Sequence, residues 1–247
     1  MGDNRVNDLK WLTSLTNLTT LNLGRNPVRD FSPLASLPNL TKLGIMGSEI
    51  SDLTSLSGII GLTKLNLRHS QISDIRPLST LTNLTELDLG YNQISDLSGL
   101  ASLTELRELD LAKNQVDDLS PLANLTYLLV LNLKANQIDD LTPLTNLTNL
   151  NTLGLDENRI SDLTPLAAFP RLANLTVTRQ SLTATAIVET QSPLPEVVGL
   201  QPVEWRSSSE EVAINQDTVI YASPGRVELY FSAGSNFSGW VTVTVTA

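Results

Sequence analysis

Seven aspartates recur at a fixed interval of 22 residues: Asp30, Asp52, Asp74, Asp96, Asp118, Asp140 and Asp162. Carboxylates in register could hold a hard cation, and paired acids such as Glu86 and Glu108 could act as general acid and base. The surrounding residues point elsewhere. Each aspartate precedes a short segment, usually Leu-x-Pro-Leu, where a carboxylate satisfies the N–H groups that open a helical turn. His69 is the only histidine and cysteine is absent, so there is no second imidazole ligand and no thiol nucleophile. No glycine-rich loop followed by lysine offers a phosphate cradle. The aspartates therefore read as caps, and neither a catalytic residue, a metal nor a cofactor is expected.

The apolar pattern identifies the elements that carry these residues. Leu84, Leu87 and Leu89 spell L-x-x-L-x-L, and the same spelling returns at every 22-residue step from Leu18 to Leu172, eight units in all. A period of that length with that spelling is the mark of a leucine-rich-repeat solenoid. Alternation in L-x-L makes a short strand with one buried face. One unit cannot bury that face alone, so neighbours must stack. The ninth position holds Asn26, Ser48, Ser70, Asn92, Asn114, Asn136, Asn158 and Gln180, side chains able to bond the backbone of a buried turn. Ser48 and Ser70 do this only in part, so the second and third units are expected to be weaker. The opening "NRVNDLKWLTSL" aligns with the back half of a unit, which suggests a start inside a longer protein, with Met1 added.

The periodicity predicts a solenoid over residues 1–178, with a curved parallel β-sheet on its concave face and short 3-10 or helical turns on its convex face. Beyond it, Val- and Thr-rich runs such as "TVIYA", "RVELYF" and "WVTVTVTA" are separated by Pro, Gly and Ser clusters. They predict a small all-β sandwich over 179–247 whose first strands continue the repeat sheet.

Composition narrows the function. A net charge of −10 argues against nucleic acid, which requires a basic stripe. No run of about 18 apolar residues is present, so this segment does not insert in a membrane. What remains is the concave face, where the variable residues of each strand meet solvent without harming the core. Lys42, Lys64 and Arg68 form a basic patch there, and beside it Glu86, Asp88, Glu108 and Asp110 form an acidic square. With strands about 4.8 Å apart, each like pair repels by roughly 0.8 kcal/mol in water. That square can accept Lys or Arg from a partner, with Tyr91 as aromatic anchor and His69 beside it. Met46, Lys113, Lys134, Asp156 and Glu157 complete the expected surface. The opposing reading is an ordinary solvated face.

The units "LTNLTELDLGYNQISDLSGLAS" and "LTNLNTLGLDENRISDLTPLAA", followed by a Val/Thr-rich region containing "VEWRSSSEE" and ending "FSGWVTVTVTA", resemble the bacterial internalins over essentially the whole chain. The resemblance implies a secreted or surface-attached protein, an immunoglobulin-like sandwich behind the solenoid, and adhesion rather than catalysis. It implies a protein ligand on the concave sheet, for example a host-cell surface protein, and the chain is expected to be a monomer. Two family features are absent: the helical N-terminal cap, and a sorting motif, since "LPEVVG" at 194–199 lacks Thr-Gly and none follows Ala247. Protein-phosphatase regulatory subunits also use 22-residue units, so an intracellular scaffold stays open. So does a structural spacer with no specific ligand.

Overall fold

The computed structural model describes residues 2, 4–48, 50–187, 192–193, 204–207, 212–214, 218–221, 225–233 and 237–246. Met1, Ala247 and the "LPEVVG" stretch lie outside the described residues. Seven three-residue strands come first: β1 (Thr20–Asn22), β2 (Lys42–Gly44), β3 (Lys64–Asn66), β4 (Glu86–Asp88), β5 (Glu108–Asp110), β6 (Val130–Asn132) and β7 (Thr152–Gly154). In each, the middle leucine is buried and its two neighbours face solvent, as in Glu86-Leu87-Asp88. The strands are short because only this part of the repeat alternates. They pair in parallel with a step of one unit, from Thr20 opposite Lys42 to Thr152 opposite Asn174.

On the convex side each unit makes a 3-10 turn, such as Ser32–Ser36, Thr54–Leu56 and Arg76–Thr80. The recurring aspartates do cap these turns, though from one residue farther out than the sequence suggests. The residue directly before the turn is apolar and makes no side-chain cap, as with Phe31, Leu53 and Ile75. The aspartate before it accepts the N–H two residues on: Ser32 on Asp30 at 2.9 Å, Thr54 on Asp52 at 2.8 Å, Thr142 on Asp140 at 2.7 Å. The apolar residue is needed in the core, so the polar cap is displaced outward. Hydrogen bonds from the side chain and backbone of Ser32, Thr54 and Ser120 hold the carboxyls of Asp30, Asp52 and Asp118 below the usual range. Arg76 brings Asp74 down to about 2.

The ninth-position amides form a buried ladder. Asn92 donates to the carbonyls of Leu67 in the unit before and Leu89 in its own, while its Oδ1 accepts the N–H of Ile72. Asn114, Asn136 and Asn158 repeat this, and Gln180 closes it by accepting from Ile160 and donating to Leu155. The expected weak points are visible. The Ser70 hydroxyl makes only long contacts, to the carbonyls of Arg68 at 3.3 Å and Ile45 at 3.5 Å, and the buried Ser48 hydroxyl has no hydrogen-bond partner among the described residues.

The C-terminal strands extend this sheet. β8 (Asn174–Ile187) starts as the last repeat strand and runs on, so the expected boundary at 178/179 falls inside it. The remaining strands are β9 (Ser192–Pro193), β10 (Glu204–Ser207), β11 (Val212–Ile214), β12 (Thr218–Tyr221), β13 (Gly225–Ala233) and β14 (Phe237–Thr246). It is the last strand in the chain, β14, that joins β8, in parallel; β13 and β10 follow, giving one sheet of eleven strands. β9, β11 and β12 form a second sheet. Leu229, Phe231, Val241 and Val243 of the first sheet and Val219 of the second belong to the same hydrophobic core as the repeats. The register shifts between Phe237 and Gly239 where β14 meets the solenoid. There a Cβ on Gly239 would stand 2.1 Å from the Gln180 carbonyl oxygen and 2.6 Å from Phe231, so only glycine lets the two backbones close.

Candidate functional site

The concave face of β1 to β6 encloses an open hollow of about 740 Å³. Seven of the expected surface residues line it: Lys42, Met46, Lys64, Glu86, Asp88, Glu108 and Asp110. Thr20, Asn22, Gly24, Arg25, Gly44, Asn66, Val130 and Asn132 share the wall. Gly24 and Gly44 lie in its wall beside Met46, which is 37% exposed.

The basic patch and the acidic square are one interlocked network. Lys64 pairs with Glu86 on the next strand. Arg68 reaches Asp110 at 3.1 Å and Asp88 at 3.5 Å. The guanidinium therefore bridges the two aspartates whose repulsion the sequence implied. Burial, the largest influence, raises the Asp88 carboxyl; Asp110 adds to it, against the Gly90 N–H and Arg68.

Two positions that look free in the sequence carry backbone duties. At the fifth position, Asn22, Asn66, Asp88, Asp110 and Asn132 each accept the N–H two residues on, for example Gly90 on Asp88 at 3.0 Å and Ala112 on Asp110 at 2.8 Å. This side-chain bond closes the turn out of the strand. At the eighth position the backbone is left-handed in all eight units: Arg25, Gly47, His69, Tyr91, Lys113, Ala135, Glu157 and Arg179 have φ between 54° and 67°. That conformation lets the N–H of Tyr91 reach the Ala112 carbonyl and that of Lys113 the Lys134 carbonyl, carrying the ladder past the strand. Only one of the eight is glycine, which is why the signal is invisible in composition.

From the third unit on, the eighth-position side chains form a rim beside the hollow, while Arg25 of the first unit lies in its wall. His69 stacks on Tyr91 with ring centroids 4.1 Å apart. Arg68 lies 4.3 Å and Lys113 4.7 Å from the Tyr91 centroid, within cation–π range. Farther along, Glu157 pairs with Lys134 at 3.3 Å and Arg179 at 3.4 Å. Asp156 accepts the Thr178 N–H and hydroxyl, both at 2.7 Å; burial would raise its carboxyl, but these bonds outweigh it and the net shift is downward. Arg68, His69, Tyr91, Lys113, Lys134, Asp156 and Glu157 thus lie outside the hollow.

The sequence pattern missed a second recess of about 390 Å³ where solenoid and C-terminal strands meet, lined by Arg179, Glu204, Arg206, Tyr230, Phe231, Ser238, Gly239 and Trp240. Tyr230 stands opposite Trp240 across β13 and β14, and Arg206 opposite Tyr230 across β10 and β13. The alternation in "RVELYF" and "WVTVTV", with Leu229, Phe231, Val241 and Val243 inward, marks Tyr230 and Trp240 as outward-facing. Among the described residues no three His, Cys, Asp or Glu side chains converge on a metal position, and no helix is long and apolar enough to cross a membrane.

A family model for leucine-rich repeats, built on two copies, matches residues 1–36, 16–58, 60–102 and 104–146. Internalin C2 of Listeria monocytogenes is 38% identical, with 71% of this chain and 77% of that one covered and a TM-score of 0.68. Internalin InlF of the same organism is also 38% identical, with coverages of 74% and 54% and a TM-score of 0.67, so the chain spans about half of its length. The functional domain of InlJ from Listeria monocytogenes covers 99% of this chain and 65% of its own at 19% identity and a TM-score of 0.58, a likeness of fold alone. No curated protein matches.

Proposed function

Because the chain belongs to the internalin family of leucine-rich-repeat proteins, we propose that it is a non-catalytic protein-recognition module that binds its partner on the concave sheet. The carrying observation is the open hollow of about 740 Å³, whose charged walls are not needed by the hydrophobic core. A wide, wet, curved surface suits a protein segment better than an enclosed small molecule. In this reading the whole protein is secreted or held at a bacterial surface, acts as a monomer in adhesion, and meets a host-cell protein. The later part of β8 and strands β9 to β14 act as an immunoglobulin-like sandwich that caps the solenoid from about residue 179. The second recess, with Tyr230 and Trp240, keeps a spacer role less favoured, because it adds aromatic anchors to the same sheet.

The test is retention of a partner from surface-protein extracts by the intact chain, beside a variant with Glu86→Gln, Asp88→Asn, Tyr91→Asn, Glu108→Gln and Asp110→Asn. Asparagine preserves the turn bond of the fifth position and tolerates the left-handed eighth position, so circular dichroism should report an unchanged fold. A protein held only by the intact chain supports recognition on the concave face. Identical profiles shift the balance to a spacer, or to an intracellular scaffold that uses another surface.

A further inference from the structure

Four charges stand in file across the concave face at the first residues of β2 to β5: Lys42, Lys64, Glu86 and Glu108, each in register with the next. The inner two close on each other as an ion pair. The outer two are left beside a like charge, Lys42 next to Lys64 and Glu108 next to Glu86, and beyond them stand the uncharged Thr20 and Val130. Burial follows this division: Lys64 and Glu86 are half-buried, Lys42 and Glu108 exposed. Neither Lys42 nor Glu108 has an ion pair among the described residues. The face therefore presents one unmet positive and one unmet negative charge, three strand spacings or about 14 Å apart.

That spacing selects a backbone. In an extended segment, residues four apart lie on one face and about 13 Å apart. In a helix, the same-face spacings of seven and eleven residues give about 10.5 and 16.5 Å. We infer that the partner contributes an extended segment laid across the strands, with a carboxylate over Lys42 and, four residues along, a lysine or arginine over Glu108. An apolar side chain on the far side of the acid rests beside Gly44 against the exposed Met46. Paired opposite charges at a fixed distance reject the reversed polarity, so they set direction and register more than affinity. This rests on the concave face being the recognition surface.

A random linear peptide library displayed on phage and selected against the immobilised chain tests it. Peptides enriched on the native chain should carry Asp or Glu four residues from Lys or Arg. Selection on the Lys42→Glu, Glu108→Lys double variant should return the opposite polarity. The best peptide, made synthetically, should lose about three- to tenfold in affinity on Lys42→Gln or Glu108→Gln alone. A third selection against Gly44→Trp, where the added Cβ meets only ordinary contacts with Asn22 and the ring blocks the concave face, separates the two readings. Peptides indifferent to the charge swap but lost on Gly44→Trp overturn the charge register and leave the concave face standing. Peptides indifferent to both, or no enrichment over an unrelated repeat protein, overturn both.

Discussion

Single residues in this chain carry backbone work that their identity does not announce. The eighth position accepts Arg, His, Tyr, Lys, Ala and Glu in a conformation that costs an L-residue roughly 1–2 kcal/mol and glycine almost nothing. Ala135 is the cleanest test, since its side chain has little to lose. After allowing for the greater freedom of glycine in the unfolded chain, Ala135→Gly should stabilise the protein by about 0.5–1 kcal/mol in denaturant titration; a loss would show that the left-handed backbone is not strained. The aspartates make a pH prediction with a definite sign. Asp30, Asp52, Asp74 and Asp118 have folded-state pKa values below their unfolded ones. Their contribution is present above an unfolded value of about 3.9 and lost as pH falls, with Asp74 titrating last near 2. Unfolding midpoints should therefore fall modestly as pH drops below about 4, and Asp74→Asn should make that fall smaller. Asp88, shifted upward, works in the opposite direction. The capping role was legible from Asp-Leu-x-Pro spacing. The fifth-position turn bond was not, because Asn and Asp there look like ordinary surface choices.

At the scale of one repeat, stability depends on whether each turn's buried N–H finds an amide in the next unit. Six units supply one and two supply serine. The Ser48 hydroxyl is 3% exposed and unpartnered, which wastes a buried polar group. Ser48→Asn should restore the pattern that Asn92 makes and raise stability by about 1 kcal/mol, read as a higher denaturant midpoint; a lower one would mean that the second unit has no room for the amide. The repeat boundaries, the buried leucines and this weak point were all visible as period and spelling. The ion-pair network was not, since Arg68 bridges Asp88 to Asp110 two units away, and a list of outward residues shows signs of charge without reach.

For the whole molecule, the sequence marked the change from leucine periodicity to Val/Thr runs but not how the two halves join. It put the first C-terminal strand on the repeat sheet, and β8 does run on from the last repeat; what it left unsaid is that the final strand returns beside β8. That pairing is long-range, and local spelling carries no trace of it. With a shared core and a shared sheet, both halves should unfold together. A variant whose only tryptophan is Trp240 should lose its fluorescence signal at the same denaturant concentration as the far-ultraviolet dichroism. Gly239→Ala, forced against the Gln180 carbonyl, should lower both by about 1–3 kcal/mol; movement of the fluorescence alone would make the C-terminal strands an independent unit.

The direction of β14 also decides how the protein bears tension. β8 leaves the solenoid and β14 runs the same way beside it, from Gly239 opposite Gln180 to Thr246 opposite Ile187. A pull between the repeats and residue 246 drags these two strands past each other lengthwise. Their hydrogen bonds then share the load in shear and must rupture together, where antiparallel partners pulled from one end would unzip singly. Resistance is set by the barrier to that joint rupture rather than by equilibrium stability, and a chain only modestly stable in a test tube can hold firm as a tether.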